Sequence, residues 1–305
     1  MQPDFFSMKK VLITGAFGFA GANLTEYMAG SGYSVIAVGR KSSGHNHRFD
    51  GLENVVPVFA DMDEYKELPG ILENIGETQV DLVIHLAWGG GRKDMDEQIK
   101  NVQPSLDLMD VAAALGAGRF IGTGSQAEYG ERDVLLTEDL TPEPIDAYGT
   151  CKTASFYLLK DKAKTLGIQF IWGRIFSLIG KYEPAGRMLP DLYRGLKEGR
   201  KMKLSSCRQY WDYLDAYDAA TAITALAEKG REDEIYNICH GEYRPLKEFT
   251  DAAAEFLQAD KKLICYGEDP NPFISLKSSS EKLRRDTGWK PAVTFEESLK
   301  KYDII

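Results

Sequence analysis

A tyrosine and a lysine four residues apart, Tyr148 and Lys152, have the clearest capacity for chemistry in this sequence. The surrounding residues predict a helix, and this spacing puts both side chains on one face of it. A tyrosine hydroxyl has an ordinary pKa of about 10, and a nearby ammonium group favours its deprotonated form. Such a pair can exchange a proton with a sugar or alcohol oxygen while a nicotinamide exchanges a hydride. Because the same spacing is common on helix surfaces, its meaning depends on the motifs that precede it.

A glycine-rich segment, TGAFGFAG at residues 14–21, lies between the first predicted strand and the first predicted helix. Its glycines, Gly15, Gly18 and Gly21, have the spacing G-x-x-G-x-x-G. Glycine there lets the backbone turn sharply and lets a pyrophosphate approach the helix N-terminus. We therefore predict a dinucleotide site, with Phe19 as a further contact in the loop. A glycine-rich turn without a ligand is the alternative.

The end of the second predicted strand indicates which dinucleotide binds. An NAD-specific site usually places a carboxylate roughly 20 residues after the glycines, where it accepts from the ribose 2′-hydroxyl. Here that place holds Arg40 and Lys41. Arginine suits a 2′-phosphate because it forms bidentate charge-assisted bonds, so we expect NADP(H), with NAD(H) as the second choice. A solvated cation pair is the alternative.

After the third strand, Asp61 either accepts from the adenine amino group or caps the next helix, and its neighbour Met62 is assigned to the same cofactor site.

Short apolar runs alternate with helical patterns through the first half of the chain. The predicted strands lie at residues 11–13, 35–38, 55–59, 80–86, 119–121 and 169–172, and the main helices at residues 19–29, 99–115 and 148–166. Continuous apolar strands between helices are typical of a parallel sheet covered on both faces. We predict the α/β class, with a Rossmann-type doubly wound parallel sheet.

The second half of the chain is more irregular. Helices are predicted at residues 190–198, 215–227, 246–257 and 296–301, and short strands at residues 203–204, 235–238 and 263–266. We assign residues 1–175 to a nucleotide-binding domain, rejoined by about residues 205–228, and residues 176–305 to a smaller C-terminal α/β substrate-binding lobe. The lobe would form a cleft at the carboxyl ends of the strands. Residues 1–7 are predicted to be an extension without a role in the fold, and EDPNPF at residues 268–273 a loop near the cleft.

The bulk composition excludes several classes of protein. The 305 residues are 43% hydrophobic and 27% charged, with a formal net charge of −9. This composition is typical of a globular protein, and the negative charge argues against binding nucleic acid or anionic membranes. No run approaches the ~18 apolar residues of a membrane span, and the first residues lack a signal-peptide pattern. The four cysteines form no CxxC pair, so we expect no metal site and a reducing, cytoplasmic location.

The order of these motifs resembles that of the extended short-chain dehydrogenase/reductases, in the group of nucleotide-sugar epimerases, dehydratases and reductases. The resemblance covers essentially the whole chain. Besides the glycine loop and the Tyr-Lys pair, it rests on IHLAW at residues 84–88, Asn101, Ser125 in GTGSQAEYG, RIFSLIG at residues 174–180 and the stretch 280–301. Together these motifs are specific for the group and much less so for the reaction.

The resemblance implies a role for each matching residue. The implied catalytic residues are Ser125, Tyr148 and Lys152. The last two also contact the cofactor, which Leu86 and Ala87 line as well. The resemblance further implies a nucleotide-sugar substrate and a homodimer through the two long predicted helices, at residues 99–115 and 148–166. The WGGGRKD segment, residues 88–94, is either a mobile substrate loop, with Trp88 against the sugar or the nicotinamide, or a flexible surface loop.

A departure from the family pattern follows Ser125. The 4,6-dehydratases of this group carry an Asp-Glu pair directly after the catalytic residue, and those carboxylates move protons on the sugar. The matching positions here hold Gln126 and Ala127. Glu128 comes one position later, and in a strand-like segment that shift turns its side chain to the other face. We therefore do not expect dehydration, and we assign Gln126 to substrate binding.

Further departures concern the nucleotide part of the substrate. Ser177 replaces an asparagine that often contacts the nucleotide. The usual Arg-Asp pair before a late helix reads Trp211-Asp212, so either Arg208 or Arg187 is expected to hold the diphosphate. We assign all four of these positions to substrate binding: Ser177, Arg187, Arg208 and Trp211.

Three functions remain open. The first is an NADP(H)-dependent reductase of a 4-keto (deoxy)sugar nucleotide, in which Tyr148 protonates the new alkoxide. The second is a nucleotide-sugar 4-epimerase that retains NAD, and the third is a non-catalytic NADP-binding sensor or scaffold. Arg40 favours the reductase, which must exchange its cofactor in every turnover. A pure binding protein needs no Tyr-Lys pair, so the sensor is the least favoured.

Overall fold

The structure is a computed structural model that describes residues 10–268 and 275–304. The predictions for residues 1–7 and for residues 269–273 therefore lie outside the described residues. The strands are β1 (Lys10–Thr14), β2 (Ser34–Gly39), β3 (Val55–Phe59), β4 (Leu82–His85), β5 (Arg119–Ser125), β6 (Gln169–Ile175), β7 (Ser177–Ile179), β8 (Met202–Leu204), β9 (Tyr210–Trp211), β10 (Tyr213–Asp215), β11 (Glu234–Ile238), β12 (Arg244–Pro245) and β13 (Ile264–Tyr266).

The helices connect these strands. They are α1 (Phe19–Gly30), α2 (Leu68–Glu73), α3 (Met95–Ile99), α4 (Val102–Ala114), α5 (Ala147–Leu166), α6 (Met188–Lys197), α7 (Ala216–Lys229), α8 (Leu246–Phe256), α9 (Glu281–Thr287) and α10 (Phe295–Lys300). Short 3₁₀ turns occur at Asn46–Phe49, Met62–Glu67, Gln126–Tyr129, Lys261–Leu263 and Lys301–Ile304. No helix in the described part of the chain is both long enough and apolar enough to cross a membrane.

A seven-stranded parallel sheet forms the centre of the fold. Its strand order is β3-β2-β1-β4-β5-β6-β11. The side chains of Val11, Leu12 and Ile13 in β1 are fully buried, because helices cover both faces of the sheet. One core includes residues of α1 and α7, and the other residues of α2, α4 and α5. The predicted doubly wound parallel sheet is confirmed.

The sequence predicts the seventh strand, at residues 235–238, but not its place in the main sheet. After α6 and strands β8 to β10, the chain returns through α7, which packs against α1. Strand β11 then pairs with β6, with Ile235 opposite Trp172. Residues 235–238, which the sequence assigns to the C-terminal lobe, therefore extend the main sheet. The domain boundaries drawn from the sequence remain a prediction.

A separate apolar cluster lies outside the sheet. It joins α6, α8, α10 and β13 through Leu192, Leu196, Ala253, Ile264 and Leu299. Strand β7, which directly follows β6, pairs with β10. Strand β8 pairs with β13. The sequence predicts α6, α8, α10, β8 and β13 but none of the two- and three-residue strands β7, β9, β10 and β12, which are too short for a periodic pattern.

The predicted helix at residues 99–115 is wrong at its start, because two helices meet there. Helix α3 ends at Ile99 and α4 begins at Val102. Pro104 lies in the first turn of α4, where its missing N–H costs nothing, whereas inside one continuous helix it would clash with the preceding turn. The Asn101 side chain occupies the break and accepts from the backbone N–H of Gly89 at 2.8 Å.

Candidate functional site

Two neighbouring cavities open at the carboxyl ends of the central strands. The larger has a volume of about 730 Å³ and the smaller of about 350 Å³. Residues common to both linings include Gly15, Gly18, Phe19 and Trp88, so the cavities adjoin at the glycine loop. This is the edge of an open parallel sheet where ligands bind in doubly wound folds.

Steric contacts require glycine at two positions of the loop after β1. Gly15 has a φ of +69°, and a Cβ there would lie 2.7 Å from the backbone N of Ala87. A Cβ at Gly21 would lie 2.1 Å from the carbonyl O of Gly15. The loop therefore packs against both the chain after β4 and its own helix. Gly18 forms the N-cap of α1, so the first amides of this helix open onto the cleft.

The smaller cavity carries two cations. Arg40 and Arg48 line it, together with Ser43, His45 and Met62. The Arg48 guanidinium donates to the carbonyl of Phe17 in the glycine loop. Its charge lowers the pKa of His45, so His45 is a neutral hydrogen-bonding group at neutral pH. The described residues that line this cavity include no carboxylate.

Some of the predicted cofactor residues line the smaller cavity, and others do not. Leu86 and Ala87 line the smaller cavity with Arg40 and Met62. Lys41 is not among the lining residues, and it forms an ion pair with Glu64. Asp61 is also not among them. It precedes the turn Met62–Glu67, and its backbone N–H donates to Glu64 at 2.9 Å, which matches the capping alternative.

The predicted catalytic residues meet in the larger cavity. Ser125 ends β5, and Tyr148 and Lys152 lie in the first two turns of α5. The Tyr148 hydroxyl forms a hydrogen bond with Ser125. The Lys152 ammonium donates to the carbonyl of Thr123 at 2.7 Å and lies 3.8 Å from the ring centre of Trp88. The chain therefore brings together the three groups that the sequence predicts.

The electrostatics differ from the sequence-based expectation for Tyr148. Burial raises the pKa of Tyr148, and the hydrogen bond from Ser125 and the charge of Arg92 oppose this only in part. Burial also lowers the pKa of Lys152 to about 7, against the charge of Glu128. The pKa of Tyr148 is therefore raised, not lowered as the sequence predicts, because desolvation outweighs the groups that lower it. At neutral pH the phenol is protonated and can act as an acid.

The segment after Ser125 is a 3₁₀ turn, so the strand-like conformation expected for Glu128 is wrong. Ser125 caps this turn, its hydroxyl accepting from the backbone N–H of Ala127 at 3.2 Å. The Glu128 carboxylate is fully buried and accepts from the backbone N–H of Ser125 at 2.8 Å and from Arg174 at 2.8 Å. Of the three residues that follow Ser125, only Gln126 lines the larger cavity. No carboxylate occupies either dehydratase position.

Gly124 of GTGSQAEYG makes space for this buried acid. A Cβ at Gly124 would lie 2.1 Å from Oε1 of Glu128 and 2.2 Å from Nε1 of Trp172. We expect Gly124→Ala to destabilise the protein by about 1–3 kcal/mol, because the core has no room for the methyl group. Gly44→Ala is the matched control, since a Cβ there meets nothing within 4 Å. Thermal unfolding of both variants checks this, and equal midpoints would contradict it.

The WGGGRKD loop is held in place by several hydrogen bonds. Gly89 donates to Asn101 at 2.8 Å, and Gln98 donates to the carbonyl of Gly91 at 3.2 Å. The Trp88 indole donates to Gln98 at 2.7 Å. Its ring lies edge-on to Tyr148, with the ring centres 6.3 Å apart. Trp88 therefore borders the predicted catalytic residues from a loop anchored on α3.

The predicted substrate residues divide into two groups. Gln126, Ser177, Arg187 and Trp211 line the larger cavity with Trp88. Arg208 is exposed and is not among its lining residues. Arg187 precedes α6, and its guanidinium lies 5.4 Å from the ring centre of Phe19.

Two polar atoms in the larger cavity lack partners. Oε1 of Gln126 and Nε1 of Trp211 are buried, and neither has a hydrogen-bond partner among the described residues. An unsatisfied buried acceptor or donor is costly, and both atoms belong to residues that line the cavity. The cavity is also lined by Arg92 and the buried Glu183, which the sequence does not single out, because their loops reach the site only through tertiary contacts.

Comparison with known proteins agrees with this geometry. The model of the NAD dependent epimerase/dehydratase family matches residues 11–239. The chain belongs to this family. The resemblance found in the sequence is thereby confirmed, and the epimerase/dehydratase fold accounts for the sheet order described above.

Relatives in the epimerase/dehydratase family differ in reaction. GDP-6-deoxy-D-mannose reductase of Pseudomonas aeruginosa is 25% identical over 318 aligned positions, which cover 96% of this chain and 95% of the relative. Probable UDP-arabinose 4-epimerase 3 of Arabidopsis thaliana is 26% identical over 327 positions, covering 95% and 79%. The solved structure of RMD from Pseudomonas aeruginosa complexed with NADPH has a TM-score of 0.80 at 23% identity, covering 96% and 97%.

Proposed function

We propose that this protein is an NADP(H)-dependent reductase of a 4-keto (deoxy)sugar nucleotide. One observation carries the proposal: a protonated Tyr148 phenol, hydrogen-bonded to Ser125, borders the cavity that also contains the glycine loop. A proton donor and a bound dinucleotide can therefore reach the same carbonyl group. The reductase of Pseudomonas aeruginosa, similar over nearly the whole chain, supports the same reaction class.

The residues of the cleft fit a dinucleotide with a 2′-phosphate. Gly15 and Gly21 bring the loop backbone so close to its neighbours that no Cβ fits, which leaves the start of α1 open for a pyrophosphate. Arg40 and Arg48 suit the 2′-phosphate, and Lys152 suits the ribose beside the nicotinamide. When bound, the cofactor supplies hydride-transfer chemistry at the keto carbon of the substrate.

Side chains of the protein bind and then protonate the substrate oxygen. The Ser125 hydroxyl donates to the carbonyl oxygen and so favours negative charge on it. Tyr148 then gives its phenolic proton to the forming alkoxide, which becomes the product hydroxyl. The resulting phenolate regains a proton from solvent before the next turnover. The Lys152 ammonium, whose Nζ lies 5.9 Å from the centre of the Tyr148 ring, stabilises that phenolate.

The larger cavity supplies groups for the sugar and the diphosphate. The unpaired Oε1 of Gln126 suits a sugar hydroxyl, and the unpaired Nε1 of Trp211 suits a hydroxyl or phosphate oxygen. Arg187 is the cation of the predicted pair that lines this cavity, so we assign the diphosphate to it rather than to Arg208. The relatives act on GDP-linked and UDP-linked sugars, and the proposal does not choose between these bases.

A 4-epimerase that retains NAD is the second candidate. The plant UDP-arabinose epimerase, which is about as similar as the reductase, favours it. Against it stand Arg40 and Arg48 in a cavity whose described lining has no carboxylate for a ribose 2′-hydroxyl. A non-catalytic sensor is a third candidate, and the assembled catalytic residues argue against it.

One assay separates the three candidates. The purified protein is mixed with NADPH and a panel of 4-keto-6-deoxy sugar nucleotides. We expect NADPH to be consumed in equal amount to the hydroxy-sugar product. Interconversion of two sugar nucleotides without added cofactor would instead establish the epimerase. Binding of NADPH without conversion of any sugar nucleotide would favour the non-catalytic sensor.

We also propose the homodimer that the sequence predicts through residues 99–115 and 148–166, which are the end of α3 with α4, and α5. Large apolar side chains are exposed there: Ile99 at 54% and Leu158 at 46% of their surface. Helices α3, α4 and α5 contact one another, so one continuous face could pack against its copy. Light scattering is expected to give twice the mass of the chain. A monomeric mass at micromolar concentration would contradict this proposal.

We also propose that the protein is located in the cytoplasm. All four cysteines are free thiols in the structure, and Cys151, Cys207 and Cys239 are buried. Free thiols suit a reducing compartment such as the cytoplasm, and the proposed substrate and cofactor suit the same place.

A further inference from the structure

We propose that Arg92 is a positioning residue for the reaction: its guanidinium stabilises the phenolate that Tyr148 becomes after giving up its proton. This inference rests on the proposed role of Tyr148 as the acid. Arg92 belongs to the WGGGRKD segment, for which the sequence gives it no role of its own, and it reaches the site from the loop after β4. It acts through the tyrosine ring and does not itself exchange a proton.

Arg92 is fixed to Tyr148 in two ways. The Cζ atom of its guanidinium lies 4.9 Å from the centre of the Tyr148 ring. Its carbonyl oxygen accepts from the backbone N–H of Tyr148 at 3.0 Å. The main chain therefore sets the distance between the two residues, and the guanidinium lies against the ring that becomes negatively charged. A cation on an aromatic face is favourable already, and more so when the ring carries a negative charge.

A carboxylate holds the guanidinium in this orientation. Nε and Nη2 of Arg92 both donate to Oδ2 of Asp146, at 3.0 and 2.9 Å. The other oxygen of Asp146 accepts from the backbone N–H of Gly149 at 2.7 Å and so caps α5. The same aspartate thus starts the helix that carries Tyr148 and fixes the cation beside it. Half of the Arg92 side chain is exposed to solvent, which weakens the attraction between its charge and the ring. The two hydrogen bonds to Asp146 offset this by holding the guanidinium against the ring.

The glycine run of the loop explains how Arg92 reaches this position. Gly90 has a φ of +85°, and a Cβ there would lie 2.8 Å from Cβ of Glu97. The backbone N–H of Gly91 donates to Glu97 at 2.8 Å. The chain therefore turns closely over α3 before Arg92. A loop without these glycines could not follow that path, so the glycines serve placement rather than flexibility.

Charged groups surround Tyr148 from several elements. Glu128 in the turn after β5 and Asp146 at the start of α5 both raise its pKa, in the same direction as burial. Arg92 in the loop after β4 lowers it, as does the hydrogen bond from Ser125. Lys152 on α5 lies farther from the ring, at 5.9 Å, than Arg92 at 4.9 Å. Removing Arg92 therefore leaves burial and the two carboxylates opposed by the hydrogen bond from Ser125, and the pKa of Tyr148 rises further.

The direct test measures ionisation of the tyrosine without substrate or cofactor. 3,5-Difluorotyrosine is incorporated at position 148 alone, because fluorination brings the phenol pKa into a range that folded proteins tolerate. Its ¹⁹F resonance is followed against pH in the otherwise unchanged protein, in Arg92→Met and in Arg92→Lys. We expect the titration midpoint to move upward in Arg92→Met and less in Arg92→Lys, which keeps the charge.

The matched control is Arg194→Met on α6. Arg194 is exposed to a similar extent, 52% against 50%, and it also pairs with an aspartate. We expect no change in the titration there. An unchanged or lower midpoint in Arg92→Met, or an equal shift in Arg194→Met, would overturn the inference. Arg92→Lys keeps the test valid if Arg92→Met folds poorly.

A kinetic measurement connects the titration to the reaction. With Arg92→Met, the alkaline limb of the reduction rate is expected to move to higher pH, because the acid stays protonated longer. In the reverse direction, where the phenolate is the base, the rate at neutral pH should fall by about two- to fivefold, the size of an exposed cation–π contact. A shifted titration without any turnover would reject the proposed function alone. Turnover with an unshifted titration would reject the role of Arg92 alone.

Discussion

Replacing Tyr148 by phenylalanine is expected to lower kcat for NADPH-dependent reduction by about 10²- to 10⁴-fold, the usual contribution of a positioned acid. The hydroxyl that is lost bonds to Ser125 and borders the larger cavity. The ring that remains still packs against Trp88, with ring centres 6.3 Å apart in the parent protein. The variant should therefore fold and bind NADPH normally. Stopped assays of NADPH consumption, with fluorescence titration of NADPH binding, check both parts.

The control for this prediction lies on the same helix. Tyr157 follows on α5, and 57% of its side chain is exposed, so Tyr157→Phe should leave kcat unchanged. The residual rate of Tyr148→Phe should also lose the alkaline limb that the parent shows, since no phenol is left to deprotonate. Normal turnover in Tyr148→Phe would remove this residue from the mechanism. Loss of NADPH binding along with activity would indicate a structural role instead.

The main sheet was predictable because its signals are local. Each of the first six strands is an apolar run followed by a turn or helix, and Val11, Leu12 and Ile13 are fully buried as such runs require. The glycine spacing also acts locally, because Gly21 must clear the carbonyl of Gly15 only six residues earlier. A pattern whose cause lies within one strand–helix unit can be recognised without knowing the rest of the fold.

The place of the seventh strand in the main sheet was not predictable, for the opposite reason. Its residues read as a short apolar run, and nothing in the run indicates a partner. The pairing of Ile235 with Trp172 joins residues far apart in the chain and depends on α7 packing against α1. Strand periodicity indicates a strand but not its neighbour, so its place at the edge of the main sheet appears only in the structure.

The candidate site was also predictable from the sequence only in part. The order of motifs along the chain predicts Ser125, Tyr148 and Lys152 as a group, and the structure brings them together. Arg48 and Arg92 come from loops, where the path of the chain depends on contacts with distant residues. The ionisation of Tyr148 also depends on burial, which the spacing to Lys152 does not report.

Replacing Arg40 by alanine is expected to weaken NADPH binding by about 10- to 40-fold while changing NADH binding little. A charge-assisted hydrogen bond to a phosphate contributes about 1.5–3 kcal/mol, and Arg40 is exposed, so the lower part of that range applies. Arg48 is a poorer choice for this test, because it donates to the carbonyl of Phe17 and its loss would disturb the glycine loop. Titrations of both dinucleotides by fluorescence measure the effect.

The neighbouring cation makes this prediction specific. Lys41 follows Arg40 directly, but it is not among the residues lining the cavity and it pairs with Glu64. Lys41→Ala removes the same formal charge from the same stretch, so a general electrostatic effect would weaken NADPH binding in both variants. A local contact with the 2′-phosphate weakens it only in Arg40→Ala. If NADH binds the parent as tightly as NADPH does, the cations do not select the cofactor. The epimerase with retained NAD then becomes the better account of the site.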